Sequence, residues 1–310
     1  MRVAVLGSPE SWYFLDLQRA AAEIAGFDVT PLEFRGLVAR LGHAQVPLNS
    51  NESESVAAGE FELQDFDAVL VRTMAPGSLE QVVFRMDALA RLEALGVAVL
   101  NPPKAVEAAV DKYLTSARLQ AAGLLTPRTI VCQTAEAALA AFERLGRDVV
   151  VKPIFGSEGR GIARLQDEAL AERAFRLLES LGSVIYLQEF IRHDGFDLRL
   201  LVIGRRVLGM RRRNPHDWRT NCSRGAAAEP LEVTPELAEM AQRAAAAVGA
   251  TLAGVDLLPM PDGRLAAIEV NAVPGWKALA GALGVDVARL VLEHTAEQVA
   301  ARRSATGARS

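Results

Sequence analysis

Short apolar runs alternate with helix-length stretches from the first residues onward, and that alternation admits little besides parallel strands joined by crossover helices. Residues 2–6 read as a buried strand closed by Gly7-Ser8-Pro9, residues 12–26 as a helix and 29–34 as a second strand. Ala68 to Arg72 reads as a further parallel strand, 79–95 as a helix ending at Gly96, and 97–100 as a strand stopped by Asn101-Pro102-Pro103. Residues 1–101 are therefore expected to form a small α/β lobe, with the Ser/Glu-rich stretch 49–60 as a surface loop. Residues 104–123 read as one helix ended by Gly123. The texture then becomes strand-rich, at 128–132, 148–153, 184–191, 197–203, 206–212, 252–258 and 265–271. Helices at 134–145, 167–181, 235–248 and 284–300 separate these strands. Two α+β lobes follow, 102–183 and 184–300, with a cleft between them and a frayed tail at 301–310.

A chain of 310 residues exceeds one typical core. Half its residues are apolar and the formal charge is -4, which argues against a general nucleic-acid binder while leaving room for a local basic site. Cys132 and Cys222 lie far apart, with no CxxC spacing, so neither a structural zinc nor a disulfide framework is expected and a reducing cytoplasm fits. No uninterrupted apolar run reaches the roughly 18 residues of a membrane span. The apolar run at the N-terminus is too short for a signal peptide.

The stretch from Gly254 to Asn271 carries the most chemistry. Asp262-Gly263 is a two-residue hairpin signal, and with that turn as centre Asp256 falls opposite Glu269. Alternation places Asn271 on the same face as Glu269, so three oxygen ligands converge. Two opposed carboxylates repel unless a cation sits between them, and an oxygen-only set suits Mg²⁺. The competing interpretation is a solvated acidic face; against it stand the apolar alternates Val255, Leu257, Ile268 and Val270.

Val149-Val150-Val151-Lys152 is a buried strand ending in a lysine, followed by a glycine-rich loop from Gly156 through Ser157 and Gly159 to Gly161. Such a loop lets backbone N–H groups approach phosphate oxygens, although a plain surface turn has the same composition and the spacing is not that of a Walker A loop. Asp111-Lys112 lies at the start or middle of a helix and reads by default as an exposed ion pair. Asp197 and Arg199 share one strand face, as a ribose and purine contact or as a surface pair. The run Arg211-Arg212-Arg213, with His216 to Gly225 after it, suits anionic small molecules better than nucleic acid. Cys222 beside it reads as a small filler.

In chain order these pieces are Asp111-Lys112, Lys152 with its glycine loop, Gln188-Glu189-Phe190-Ile191, Asp197-Leu198-Arg199, Arg219-Thr220-Asn221 with Arg224-Gly225, Asp256 and Glu269-Val270-Asn271. The series resembles the ATP-grasp superfamily, and within it the RimK-type α-L-glutamate ligases and the related LysX-type carrier ligases, over about residues 98–295. The resemblance implies an ATP-grasp fold with an N-terminal Rossmann-like preATP-grasp domain. It implies that Lys112 and Lys152 contact the nucleotide phosphates. Gln188, Glu189 and Phe190 would stand at the adenine, the last two through backbone groups, and Asp197 at the ribose. Arg219 and Asn221 would lie near the phosphates, and Asp256, Glu269 and Asn271 would bind two Mg²⁺ ions, for which Mn²⁺ could substitute. Arg199 and Arg213 would stabilise an acyl phosphate, residues 156–161 would form a lid, and Arg224 and Arg72 would hold acceptor carboxylates. The implied activity joins an amine, L-glutamate in the relatives, to a substrate carboxylate at the expense of ATP, in a cytoplasmic homo-oligomer without nucleic-acid or membrane partners. The carboxylate could belong to a pterin cofactor, a protein C-terminus, a carrier protein or a small amino acid. Two features depart from the RimK pattern: Arg224-Gly225-Ala226 stands where relatives have Arg-Gly-Gly, and the loop before Arg219 is shorter. The ending Asn271 to Trp276 is closer to the pterin-cofactor glutamate ligases. A small-molecule kinase on the same fold and a non-catalytic nucleotide-binding module are the rival classes.

Overall fold

The computed structural model describes residues 1–42, 54–156 and 160–307. The first lobe begins with β1 (Arg2–Leu6), α1 (Trp12–Glu23) and β2 (Asp28–Leu32). Three short strands follow, β3 (Leu37–Arg40), β4 (Ser55–Ala58) and β5 (Phe61–Glu62), and they form a small antiparallel sheet of their own. That sheet departs from the loop expected over 49–60. The segment Ser55–Ala58 is buried, and Val56 and Ala58 pack in one core with Phe34, Leu37, Leu63 and Phe66. Most of the rest of that Ser/Glu-rich stretch, through residue 53, lies outside the described residues. Then come β6 (Ala68–Val71), α2 (Leu79–Ala94) and β7 (Ala98–Leu100), which complete a parallel sheet in the order β2-β1-β6-β7.

The expected single helix over 104–123 is two: α3 (Pro103–Val110) and α4 (Lys112–Ala121). Asp111 breaks it by taking an extended conformation and capping α4, its Oδ1 accepting from Leu114 N–H at 2.9 Å. Lys112 is thereby the first residue of a helix. Next in the chain are β8 (Thr129–Cys132), α5 (Ala135–Arg144), β9 (Val149–Lys152), β10 (Ala163–Leu165), α6 (Glu168–Ser180) and β11 (Ile185–Glu189). The sheet order is β10-β9-β11-β8, so the strand after residue 184 hydrogen-bonds into the centre of the second lobe's sheet.

The remaining elements are β12 (Phe196–Ile203), β13 (Arg206–Arg213), β14 (Ala227–Leu231), α7 (Pro235–Val248), β15 (Leu252–Pro259), β16 (Leu265–Asn271), α8 (Lys277–Leu283) and α9 (Val287–Gly307). The strands make a five-stranded antiparallel sheet, β14-β13-β12-β15-β16. The tail expected to fray from residue 301 continues α9 to Gly307. Arg302 holds it by donating to the Gly96 carbonyl, and Arg303 by pairing with Asp67.

The lobes differ in how they share apolar cores. Two clusters run from the first lobe into the five-stranded sheet, one through α7 and the other through α1 and α9. Buried Asn101 sews the same junction: its amide donates to the Leu252 and Ala272 carbonyls, and its carbonyl accepts from the Thr251 and Leu252 N–H groups. The four-stranded sheet of the second lobe packs α5 and α6 into a separate core around Phe142 and Phe175.

Candidate active site

The turn between β15 and β16 is not the expected two-residue one. Gly263 N–H donates to the Met260 carbonyl and Met260 N–H to the Arg264 carbonyl, with Gly263 at φ +83°, so three residues form the loop. That alone would slip the register by one. A β-bulge beyond Leu257 slips it back, leaving Ile268 without a partner and setting Asp256 opposite Glu269, Val255 opposite Val270 and Gly254 opposite Asn271. The expected pairing of the two carboxylates therefore holds through two irregularities that cancel.

Asp256 is buried at 3% exposure and braced by two arginines. Arg199, opposite it on β12, donates to Oδ1 at 2.6 Å, and Arg212 lies 2.8 Å from Oδ2. Burial alone would raise the Asp256 carboxyl, but the two guanidinium groups outweigh it and hold it below its ordinary range. Arg212 also grips Asp197 bidentately, at 2.8 and 2.5 Å. A row of alternating charge, Asp197–Arg212–Asp256–Arg199, thus crosses three strands on one sheet face. Gly254 makes the row possible, because a Cβ there would sit 2.4 Å from the Arg199 guanidinium.

Two expectations change here. Arg213 pairs with Phe196 in register and lies on the opposite face, over the Phe196 ring and 3.5 Å from Glu229. The arginine on the site face is Arg212, one residue earlier, and the sequence reading missed it. Gly204-Arg205 could have found it: a two-residue turn there puts Asp197 opposite Arg212. Asp197, expected at a ribose, is buried at 1% exposure with both carboxylate oxygens engaged by Arg212 and an added hydrogen bond from Thr220. Its place in the structure is that of a brace for Arg212.

Thr220 docks the cationic loop onto this network. Asn214 closes the loop by donating to the Arg219 and Arg224 carbonyls. Arg219 is tied to Asp217 at 2.6 Å, and half-buried Asn221 leads into a short 3₁₀ turn, Cys222–Arg224, which leaves Arg224 exposed. Burial pushes the Cys222 thiol up, as suits a filler rather than a nucleophile.

The opposing wall comes from the second lobe. Val149 and Val151 point into its core, so Lys152 and its register partner Tyr186 face away from it. Lys152 Nζ donates to Gln188 Oε1 at 2.7 Å, and Gln188 is held in turn by Thr129 and Tyr186. Burial pushes the Lys152 ammonium down to about 8, opposed by the charges of Glu269 and Asp256. Lys112 Nζ donates to the Gly156 carbonyl at 2.7 Å, and burial lowers its pKa too, again against the pull of Glu269. Both lysines thus feel the carboxylates of the facing wall. Gly156 and Gly161 bear positive φ, +142° and +69°, while Ser157 and Gly159 lie outside the described residues.

At the end of β11, the N–H groups of Glu189 and Phe190 donate to the Arg128 and Asp148 carbonyls, so neither is available to a purine. The Glu189 carboxylate is taken by Arg128, through its backbone N–H and its Nε at 2.6 Å. Phe190 is stacked under Arg164, 3.5 Å from the ring centre, with Trp218 edge-on at 5.7 Å.

Asp256, Glu269 and Asn271 supply two carboxylates and an amide oxygen, a donor set that fits Mg²⁺. Asn271 Oδ1 also accepts from Val273 N–H at 2.8 Å, which fixes the direction of its amide. Among the described residues no cluster of three His, Cys, Asp or Glu side chains offers an alternative metal site.

A wall with two opposed carboxylates facing two partly desolvated lysines suits a polyphosphate held with a cation. Comparison with known proteins agrees. The RimK-like ATP-grasp domain model matches residues 109–295. A tetrahydromethanopterin:α-L-glutamate ligase of Methanosarcina acetivorans is 36% identical over 92% of this chain and 95% of its own length. A glutamate–LysW ligase of Sulfurisphaera tokodaii, ArgX, is 30% identical over 82% of this chain and 87% of its own. The crystal structure of a RimK domain ATP-grasp protein from Sphaerobacter thermophilus superposes with a TM-score of 0.69 at 25% identity, covering 95% of this chain and 99% of that one. The chain belongs to the RimK-like ATP-grasp family.

Proposed function

We propose that the protein is an ADP-forming carboxylate–amine ligase that adds L-glutamate to a carboxylate substrate of the tetrahydromethanopterin type. The observation that carries this is the Asp256–Glu269 pair set against Lys112 and Lys152 inside the family-matched segment. Glutamate figures in the names of both relatives while the other substrate changes, which favours it as the amine. The greater identity to the pterin ligase favours a pterin carboxylate as the donor over a carrier protein.

In the first step a donor carboxylate oxygen bonds to the γ-phosphorus of ATP and the bond to the β–γ bridging oxygen breaks, giving an acyl phosphate and ADP. In the second, the amine nitrogen, having lost a proton from its ammonium form, bonds to the acyl carbon. The carbon–oxygen bond to phosphate breaks, inorganic phosphate leaves, and the new amide nitrogen sheds its second proton. Asp256, Glu269 and Asn271 would hold Mg²⁺, which when bound offsets phosphate charge. Two ions would bind there, and Mn²⁺ would substitute for them. Lys112 and Lys152 meet the phosphates as fixed cations, already desolvated and positioned by Gly156 and Gln188. Arg199 stays beside Asp256 and orients it.

The test measures ADP release with tetrahydromethanopterin and L-glutamate together and with each omitted. Release that needs both supports the ligase. ADP formed without amine, alongside a stable phosphorylated product, identifies a kinase instead.

A further inference from the structure

In the first lobe, β1 and β6 are parallel neighbours from which the chain departs in opposite directions, to β2 on one side and to β7 on the other. Open parallel sheets bind ligands in the crevice beyond the carboxyl ends of two such strands. Here those ends are Leu6 and Val71, and Arg72 stands between them, its N–H donating to the Leu6 carbonyl at 2.9 Å. The twelve-residue helix α1 starts nearby, capped by Ser11.

Of the buried arginines, Arg199 and Arg212 are paired with carboxylates, whereas Arg72 and Arg85, each at 4% exposure, show no ion pair among the described residues. Arg72 differs from Arg85 in the nitrogens it leaves without a partner. Its Nη2 donates to the Pro274 carbonyl at 2.7 Å, and its guanidinium lies 4.2 Å from the centre of the Trp276 ring and 5.1 Å from that of Tyr13. Its Nε and Nη1 are buried with no hydrogen-bond partner. Leaving buried donors without acceptors is costly, more so on a charged group, so their retention calls for an acceptor that arrives with a ligand. Burial also pushes this guanidinium down to about 10.

Three features select the ligand chemistry. A guanidinium fork matches a planar carboxylate. Tyr13 and Trp276 meet edge to face beside the guanidinium, their ring centres 5.1 Å apart, and half-buried Tyr13 is the side that can yield. Pro274 follows the metal-strand residue Asn271 by three positions, so the Arg72 anchor is tied within about 11 Å of that strand. A carboxylate undergoing activation must sit at the lysines and lose its charge; one held by Arg72 stays ionised.

We infer that Arg72, between Tyr13 and Trp276, is the receptor for a carboxylate of the amine-bearing substrate that remains ionised through the reaction. This rests on the ligase reading above and adds the recognition element for its second substrate. Tyr13 moves aside to admit the carboxylate, and Trp276, hydrogen-bonded to Asp16 at 2.9 Å, remains as the fixed wall.

The experiment is calorimetric titration of the full-length protein, saturated with Mg²⁺ and a non-hydrolysable ATP analogue, with L-glutamate, with its two mono-amides and with tetrahydromethanopterin. Arg72→Gln and Arg72→Lys are each expected to weaken L-glutamate by at least about tenfold while changing nucleotide affinity by less than about twofold. The mono-amide lacking the carboxylate that Arg72 holds binds wild type and variants alike. Unchanged glutamate affinity in both variants, no glutamate binding to the wild type, or a loss confined to tetrahydromethanopterin would each overturn the inference. So would a lowered melting temperature with parallel loss of nucleotide and glutamate, the mark of a structural role; Arg72→Lys, which keeps the charge, guards against a folding defect in Arg72→Gln. Binding is read without turnover, so ADP release that proves independent of amine would defeat the ligase reading and leave this result to be judged by itself.

Discussion

The two walls of the cleft solve opposite electrostatic problems. On the five-stranded sheet, Asp197, Arg212, Asp256 and Arg199 neutralise one another in a buried row, and the sheet beneath them shares its cores with the first lobe. Facing it, Lys152 at the end of β9 on the four-stranded sheet and Lys112 at the start of α4 rest on neutral acceptors, an amide oxygen and a carbonyl, and their charge is disfavoured by burial. The first wall keeps its shape by internal pairing. The second is left with cationic capacity that an incoming phosphate would satisfy, and its Lys152 stands on a sheet whose core is its own. Stability and ligand affinity should therefore separate cleanly between the two walls.

The largest effect is expected from Glu269→Ala, which removes one of two facing carboxylates. Turnover should fall by about a thousandfold or more while the melting temperature stays near wild type, because Glu269 is only half-buried and outside the paired row. Near-normal activity in that variant would refute the metal assignment. Next comes Arg212→Met, which leaves Asp197 and Asp256 buried without their shared partner. Denaturant unfolding should show a loss of about 3–5 kcal/mol. Lys152→Met should do the reverse: stability is kept or gained, since a desolvated ammonium is removed, while nucleotide affinity drops by about 10- to 100-fold. Equal destabilisation in the two variants would erase the contrast between the walls.

A pH series sharpens it further. Lys152 is protonated below about 8 because burial has lowered it from the ordinary lysine range, so Mg·ATP affinity should decline as pH rises through that value. The decline should vanish in Lys152→Met. The smallest effect belongs to Arg213→Ala, where kcat/KM should change by less than about twofold, since that side chain stands on the far face of the sheet.

Much of this cleft is legible in the sequence because it follows from periodicity and order. Alternating apolar runs define the parallel sheet of the first lobe, and the ordered series from Lys112 to Asn271 specifies the family. What is not legible depends on register. In Arg211-Arg212-Arg213 every residue has the same chemistry, and only the Gly204-Arg205 turn decides which one meets Asp197. The Asp256–Glu269 pairing comes out right from a two-residue turn only because the bulge at Ile268 offsets a longer loop. Edge strands hide as well: β14 contains Pro230 and small residues, a composition that a sheet edge tolerates and that reads as loop. Likewise Ser55–Ala58 is too small and polar to announce itself as a strand, and is one because Val56 and Ala58 have a core to enter.

The central claim, a carboxylate activated by ATP before an amine takes it, is most directly tested by isotope transfer. Tetrahydromethanopterin labelled with oxygen-18 in the carboxylate to be activated is turned over with ATP and L-glutamate, and the inorganic phosphate is analysed by mass spectrometry. Each phosphate released is expected to carry one labelled oxygen, transferred when the acyl carbon–oxygen bond breaks. Ligated product accompanied by unlabelled phosphate would contradict it.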